Sequence, residues 1–174
     1  GGQFLDGRAA TLADQAGGPP LNPVEMGMPD KAAVVARLTE NPDYQTRFAA
    51  LFGADIFGDA DKAYDAMTTA IAAFERTPVF QPFDSRYDRA LRGEIKLTDQ
   101  EELGQVLFFS NQFTNCNLCH QLKKPGGQEG ETFSNYQFHN IGVPVNPELT
   151  AANGATKPDL GLAENPAVAD KATE

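Results

Sequence analysis

The sequence predicts an all-α protein, because apolar residues recur at helical intervals of three and four and no segment shows the strict alternation of a half-buried strand. The longest such pattern runs over residues 60–76. Its apolar members share one helical face: Tyr64, Met67, Ile71 and Phe74. A methionine on such a face is normally a core residue, so we assign Met67 to the core. We expect no metal ligation from the two loop methionines, Met26 and Met28.

Capping residues mark where the other helices begin. Thr11 and Thr98 each open a capping box, with an acidic residue three positions later. Asp30 and the pair Asn41-Pro42 are typical starts, because the proline stands at the first helical position. Helices are therefore expected over these ranges: 12–16, 31–38, 42–52, and from 99 to just before the cysteines.

Long loops and a domain boundary are expected elsewhere in the chain. Pro78 and Pro82 interrupt the helical pattern, and a polar segment without a helical period follows over residues 84–96. We therefore place a domain boundary at residue 80, which gives domains 1–80 and 81–174. From Lys123 onwards Gly, Pro, Asn and charged residues dominate, and we predict long loops to the end of the chain.

The composition restricts the classes of partner. The 174 residues include 14 Lys and Arg against 24 Asp and Glu, which gives a net charge of −10. A surface of that sign repels phosphate backbones, so nucleic acid is a poor partner. The same charge suits docking to a basic protein, or it simply keeps the protein in solution. No run of eighteen apolar residues occurs, so no membrane span is predicted.

Both cysteines of the chain lie in one run, Cys116-Asn117-Leu118-Cys119-His120. Two thiols at this spacing reach two vinyl groups on one porphyrin edge, and a histidine next in sequence is placed under the iron. The run therefore predicts one covalently attached c-type haem, anchored by Cys116 and Cys119, with His120 as the proximal iron ligand. Such haem is normally attached outside the cytoplasm, so we expect a periplasmic protein.

Other interpretations of the same residues compete with haem. A thioredoxin-like dithiol needs no histidine and follows a strand in a βαβ unit, which the pattern lacks. A zinc site needs a second pair of ligands, and His139 is the only other histidine. A structural disulfide leaves the preceding helix without a role. His139 itself is either a second axial ligand of the iron or, as is more usual for a histidine in such a loop, a structural residue.

Four runs stand in a fixed order along the chain: Phe4–Ala9 continuing to Asn22–Gly27, the capped helix leading into Cys116–His120, Phe138–Pro144, and Asp159–Leu162. In content and order they resemble the bacterial di-haem cytochrome c peroxidase family, which includes the related di-haem enzyme of methylamine utilisation. The resemblance implies two mostly helical c-type haem domains. The N-terminal haem reduces peroxide, and the C-terminal haem is a high-potential relay.

By this resemblance, residues 81–174 are a c-type cytochrome-like helical haem domain that transfers electrons. Residues 1–80 are the remainder of the N-terminal, peroxidatic domain, without its own haem motif. We therefore expect the chain to be an internal piece of a longer protein. The second haem c is expected on upstream sequence, and the C-terminal domain is expected to be truncated before its Met ligand.

The resemblance also implies roles for individual residues. Glu25 matches the acidic residue of the family's peroxide pocket, and Gln15 matches its neighbour. Cleavage of the O–O bond requires a proton on the departing oxygen, which a buried carboxyl of raised pKa can deliver; Gln15 can orient water or peroxide. Asp6 and Arg8 are expected to form a structural ion pair; the alternative is a contact of Arg8 with a haem propionate. Leu5 stands where many members have a tryptophan between the haems, so electron transfer there would use other atoms.

The function implied by the resemblance is that of a periplasmic peroxidase. It reduces hydrogen peroxide to water with electrons from a small redox protein, a cytochrome c or a cupredoxin. The isolated segment is expected to be inactive, because it lacks the haem at which peroxide reacts. Two alternatives stay open: a mono-haem c-type electron-transfer protein, and a di-haem oxidase of an organic or protein substrate. The resemblance also allows calcium as a cofactor and a homodimer as the assembly.

Overall fold

The computed structural model of the chain describes residues 2–124, 126–154 and 159–168. Over these ranges the chain is helical, apart from an isolated antiparallel bridge between Gln3 and Ala9. The all-α prediction is thereby confirmed. The α-helices of the described residues are α1 (Leu12–Ala16), α2 (Lys31–Thr39), α3 (Pro42–Phe52), α4 (Ala60–Glu75), α5 (Arg86–Leu91), α6 (Asp99–Phe108) and α7 (Pro147–Asn153). Single turns of 3₁₀ helix lie at Ile56–Gly58, Pro78–Phe80, Cys116–Leu118 and Gly161–Glu164.

These elements belong to two compact units. One unit contains residues 1–77 and 140–174, with α1 to α4 and α7; the other contains residues 78–139, with α5, α6 and both cysteines. The first unit therefore ends close to the predicted boundary at residue 80, while the residues from 140 onwards group with it. The assignment of the two predicted domains to two haems stays a prediction. Among the described helices, none is long and apolar enough to cross a membrane.

Helix α4 forms the centre of the first unit. Ala63 and Tyr64 are almost completely buried on it, and α1 and α2 pack against it. The Tyr64 hydroxyl donates a hydrogen bond of 2.7 Å to the Gly17 carbonyl just after α1, which satisfies the one polar atom of that ring. Met67 is buried in the same cluster, so its assignment to the core is confirmed.

Local capping explains why the predicted helices begin where they do. Thr11 Oγ1 accepts a hydrogen bond from Asp14 N at 3.1 Å, and the Asp14 carboxylate accepts one from Thr11 N at 3.0 Å. At α2, Asp30 Oδ1 accepts from Ala33 N at 2.7 Å. Each bond satisfies a backbone N–H that the helix itself leaves without a partner. The predicted starts of α1 to α4 and α6 are therefore confirmed.

Two helices correct the prediction of irregular chain. Helix α5 lies inside the segment 84–96, where a reciprocal capping box between Ser85 and Asp88 starts it. Helix α7 lies inside the predicted C-terminal loop, where the Asn146 side chain caps a helix that opens with Pro147. Both segments are too short for a visible apolar period, but their capping signals were present in the sequence. Residues 125, 155–158 and 169–174 of that predicted loop lie outside the described residues.

A bidentate ion pair joins α5 to α6 in the second unit. Arg86 Nε donates to Glu101 Oε1 at 2.5 Å, and Arg86 Nη2 donates to Glu101 Oε2 at 3.0 Å. The same carboxylate accepts from Thr98 N at 2.8 Å, so it also closes the capping box of α6. The hydrogen bonds from Arg86, followed by those from Thr98, lower the pKa of Glu101 to about 2.

This ion pair predicts a stability that depends on pH. Because the folded-state pKa of Glu101 lies below its ordinary value of 4.5, its contribution is complete above about pH 4.5 and is lost as the pH falls towards 2. Thermal unfolding of the wild type and of Glu101→Gln is expected to show a Tm difference at pH 7 that closes over that window. Glu102→Gln, in the same helical turn and exposed, is the matched control. A Tm difference that stays constant from pH 7 to pH 2 would contradict the prediction.

Candidate functional site

The cysteine motif lies on a tight turn that follows α6. Cys116 begins a 3₁₀ turn, and its carbonyl accepts from both Cys119 N (3.4 Å) and His120 N (3.0 Å). Asn115, directly before the turn, has a positive φ of 54°, which reverses the chain into the motif. Both cysteines are free thiols in this structure. The turn thus presents two thiols and an imidazole in succession.

His120 has one ring nitrogen engaged and the other available. Its Nδ1 lies 3.0 Å from the Phe133 carbonyl oxygen, and only a protonated Nδ1 can donate to that acceptor. The tautomer with Nδ1–H leaves Nε2 with a free lone pair, which is the form that ligates a metal. The imidazole is exposed, with the Phe108 ring 6.0 Å away between centroids. This is the geometry that the prediction of a proximal ligand requires.

An aromatic cluster holds the carbonyl that His120 contacts. The Phe133 ring lies 5.2 Å from Tyr87, 5.8 Å from Phe108 and 6.5 Å from Phe109, measured between centroids. Phe133 has a positive φ of 52°, a conformation that costs an ordinary residue roughly 1–2 kcal/mol and therefore needs support from its surroundings. Burial, reinforced by the charge of Glu131, raises the pKa of Tyr87, so its phenol stays neutral.

Apolar side chains remain exposed around the motif. Leu103 and Val106 on α6 are 57% and 67% exposed, although their spacing predicts the buried side of that helix. Phe113 and Leu118, within three residues of a motif cysteine, are exposed as well. A porphyrin is a large apolar disc, and its binding buries side chains of this kind. The two thiols, the free Nε2 and this apolar surface together fit a covalently held haem.

The alternative to haem is a zinc site, which needs several ligands close together. In the described ranges no group of three or more His, Cys, Asp and Glu residues lies close enough to hold an ion. His139 Nε2 lies 2.9 Å from the Asn135 side-chain nitrogen, which donates to it. Asn135 also donates from its backbone N to the Cys119 carbonyl at 3.2 Å, so it links His139 to the motif. Whether His139 also ligates the iron stays a prediction, as does calcium.

Glu25 lies on the surface of the first unit, in the turn between α1 and α2. It is exposed, and its Oε1 accepts a hydrogen bond of 2.7 Å from Asn22 Nδ2. The neighbouring side chains Val24 and Met26 are also exposed, so the apolar pocket expected around Glu25 is not formed by the described residues alone. Gln15 is half-buried on α1. The peroxide-pocket roles of Glu25 and Gln15 stay predictions.

A short hairpin-like segment precedes α1 and carries the predicted ion pair. Arg8 Nη1 lies 3.0 Å from Asp6 Oδ1, so the structural pair is confirmed, and the Arg8 guanidinium stacks 3.8 Å above the Phe4 ring. Asn165, itself buried, donates to the Asp6 carbonyl at 3.1 Å. Leu5, between Phe4 and Asp6 in the sequence, is 89% exposed.

Sequence reasoning missed the residues that support His120. Phe133 contributes a backbone carbonyl, and no sequence pattern marks a backbone acceptor. Glu131, whose side chain is buried, was missed as well. Its position next to a run of glycines and lysines suggested only a loop.

Several known proteins are similar in sequence to this chain. A model of the family described as di-haem cytochrome c peroxidase matches residues 1–96. Methylamine utilization protein MauG of Paracoccus denitrificans is 51% identical over 174 residues, covering 99% of this chain and 44% of that protein. Cytochrome c peroxidase Ccp of Escherichia coli is 40% identical over 152 residues, covering 87% of this chain and 29% of that protein.

A solved structure shares the fold. The diheme peroxidase BthA from Burkholderia thailandensis superimposes with a TM-score of 0.85 at 32% identity, covering 96% of this chain and 40% of that chain. The chain thus spans less than half of the length of each of these relatives.

Proposed function

The chain belongs to the di-haem cytochrome c peroxidase family, and on that premise we propose that the protein reduces hydrogen peroxide to water in the periplasm, with electrons from a small redox protein. The observation that carries the proposal is the His120 geometry. An imidazole with Nδ1 engaged and Nε2 free follows two free thiols on one tight turn. Such a turn can hold a c-type haem, the type of cofactor that the di-haem family implies.

The residues of the second unit have distinct tasks in this proposal. Cys116 and Cys119 would hold a haem through thioethers, and His120 Nε2 would ligate its iron. When bound, the haem supplies one-electron redox chemistry. The exposed apolar side chains of Leu103 and Val106 on α6 would be available to pack against such a group and shield part of it from water. The second unit thus acts as the electron relay.

The first unit contributes the proton chemistry. Reduction of hydrogen peroxide to two water molecules consumes two protons and two electrons, and the departing oxygen must be protonated as the O–O bond breaks. Glu25 is proposed to deliver that proton, and Gln15 to hold water or peroxide by hydrogen bonding. Asn22, which donates to Glu25 Oε1, fixes the carboxylate's orientation.

A second haem is part of the proposal. The family is di-haem, whereas the 174 residues contain only the two cysteines of one attachment motif. Two further cysteines are therefore needed in sequence outside this chain. A cytochrome c or a cupredoxin is the proposed donor by resemblance to the family, and the chain's net charge of −10 is compatible with a basic partner.

A second candidate function is supported by one comparison. The 51% identity to a methylamine utilization protein exceeds the 40% identity to the Escherichia coli cytochrome c peroxidase. A di-haem oxidase acting on an organic or protein substrate is therefore the alternative enzyme. The mono-haem electron carrier is the alternative without catalysis.

Haem counting combined with a peroxide assay separates these functions. In the full-length protein, of which these 174 residues are expected to be a piece, we expect two haems per full-length chain by mass and by haemochrome absorption, together with peroxide-dependent oxidation of a reduced cytochrome c or cupredoxin. One haem per chain would favour the electron carrier and contradict the peroxidase. Two haems without peroxide-dependent donor oxidation would favour the oxidase.

A further inference from the structure

A buried carboxylate lies in the loop that supports His120. Glu131 is only 5% exposed, and its Oε2 accepts a hydrogen bond of 2.6 Å from Lys123 N. Its other oxygen, Oε1, has no hydrogen-bond partner among the described residues. Burying a carboxylate that has one oxygen without a hydrogen bond is unfavourable. The retention of such a group therefore points to a specific role for the hydrogen bond that its other oxygen accepts.

The position of that bond shows what it does. Lys123 follows His120 by three residues, and Glu131 precedes Phe133 by two. The Glu131 to Lys123 hydrogen bond therefore closes the loop at the point where the chain leaves the motif and returns to it. The Lys123 ammonium adds a second tie, because Nζ donates to the Gly130 carbonyl at 2.9 Å.

The closed loop delivers the acceptor for His120. Beyond Glu131 the returning chain makes two contacts with the motif: the Phe133 carbonyl with His120 Nδ1 at 3.0 Å, and Asn135 N with the Cys119 carbonyl at 3.2 Å. Phe133 has a positive φ, an unfavourable conformation that persists only when both its ring and the adjacent backbone are held in place. The aromatic cluster fixes the ring, and Glu131 fixes the preceding chain.

We propose that Glu131 is a positioning residue for the proximal ligand, because its buried carboxylate holds the loop that keeps the Phe133 carbonyl against His120 Nδ1. The inference rests on the haem attachment of the proposed function, but not on peroxide as the substrate. A hydrogen bond from Nδ1–H to a carbonyl increases the electron density that the imidazole gives to iron. It thereby favours ferric over ferrous iron and lowers the reduction potential of this haem.

Removal of the Glu131 acceptor tests the proposal through the potential. In the haem-loaded protein, Glu131→Leu is expected to raise the ferrous-to-ferric ratio of one haem at a fixed potential by about two- to tenfold, the range that one net hydrogen bond is worth. Glu131→Gln keeps a carbonyl oxygen for Lys123 N and is expected to stay at the wild-type ratio. Glu129→Leu, at an exposed glutamate of the same loop, is the matched control and is also expected to stay there.

Each outcome decides for or against the role of Glu131. An unchanged ratio in Glu131→Leu overturns the proposal, and so does a shift in Glu131→Gln equal to that in Glu131→Leu, because the charge rather than the hydrogen bond would then be responsible. If Glu131→Leu does not accumulate, Lys123→Pro removes the donor of the same bond and is expected to give a shift of the same sign; no shift overturns the proposal. A wild-type protein without thioether-bound haem would instead refute the haem attachment itself.

Discussion

In the full-length protein, replacement of His120 with glycine is expected to reduce peroxide-dependent donor oxidation by at least about a hundredfold, because loss of a ligand exceeds the ten- to hundredfold loss typical of an outer-shell partner. His120 is the imidazole that the motif places after its two thiols, with Nε2 free for iron. The measurement is steady-state turnover normalised to attached haem, with the absorption spectrum recorded alongside. Added imidazole is expected to restore part of the original spectrum, because it can occupy the position of the lost side chain.

His139→Ala is the matched variant, since it removes the chain's other imidazole. We expect its haem spectrum to be unchanged, because Asn135 already engages His139 Nε2 in a structural hydrogen bond. A spectrum altered in His139→Ala would favour His139 as a second axial ligand. Unchanged turnover in His120→Gly would contradict the assignment of the proximal ligand.

Glu25→Gln is expected to lower kcat for peroxide by about 10²- to 10⁴-fold, the usual contribution of a positioned general acid–base. Glutamine retains the shape of the side chain and a hydrogen-bonding oxygen for Asn22, but it has no proton to transfer at the pH of the reaction. Haem content and reduction by the donor are expected to be unaffected, because Glu25 supplies neither a thiol nor an iron ligand to the proposed haem. The measurement is steady-state turnover of the full-length protein with hydrogen peroxide, which gives kcat.

Glu40→Gln provides the control for a charge change in the same unit. Glu40 is exposed and caps the end of α2, where it forms an ion pair of 2.8 Å with Arg37. Such a surface pair contributes little, so wild-type kinetics are expected. If Glu25→Gln reacts with peroxide as rapidly as Glu40→Gln does, Glu25 is not the acid–base residue and another group performs the proton transfer.

Helix positions were predictable wherever a local signal coincided with an apolar period. Helix α4 carries both, with its N-terminal cap at Asp59 and its buried face at Tyr64 and Met67. Helix α5 carries only the cap, because its six residues are too few to display a period, and it was missed. Capping bonds act within four residues and can therefore be read locally, whereas burial depends on residues far away in the sequence.

The apolar side of α6 shows what a helical pattern can and cannot establish. Leu103, Val106 and Leu107 recur at helical spacing on α6, yet all three are exposed. An amphipathic pattern indicates that a face is covered in the working protein without identifying what covers it. The proposed haem supplies an apolar surface of the right kind.

The candidate site was predictable in the part that is contiguous in sequence. Cys116, Cys119 and His120 are recognisable because thioether attachment and ligation require a fixed short spacing. The acceptor for His120 is a backbone carbonyl thirteen residues away, at Phe133, and its support by Glu131 depends on a buried contact. The sequence marks neither feature, because every residue type has a backbone carbonyl and because most glutamates in loops are solvated rather than buried.

Peptide mass spectrometry of the denatured protein tests the central assignment most directly. After acid–acetone extraction and treatment with a thiol-alkylating reagent, the peptide containing residues 116–120 is expected to retain the mass of one haem, with neither cysteine alkylated. Alkylation of both Cys116 and Cys119, with the pigment recovered in the acetone, would show that no thioether exists. The electron-relay role of this turn would then have no basis.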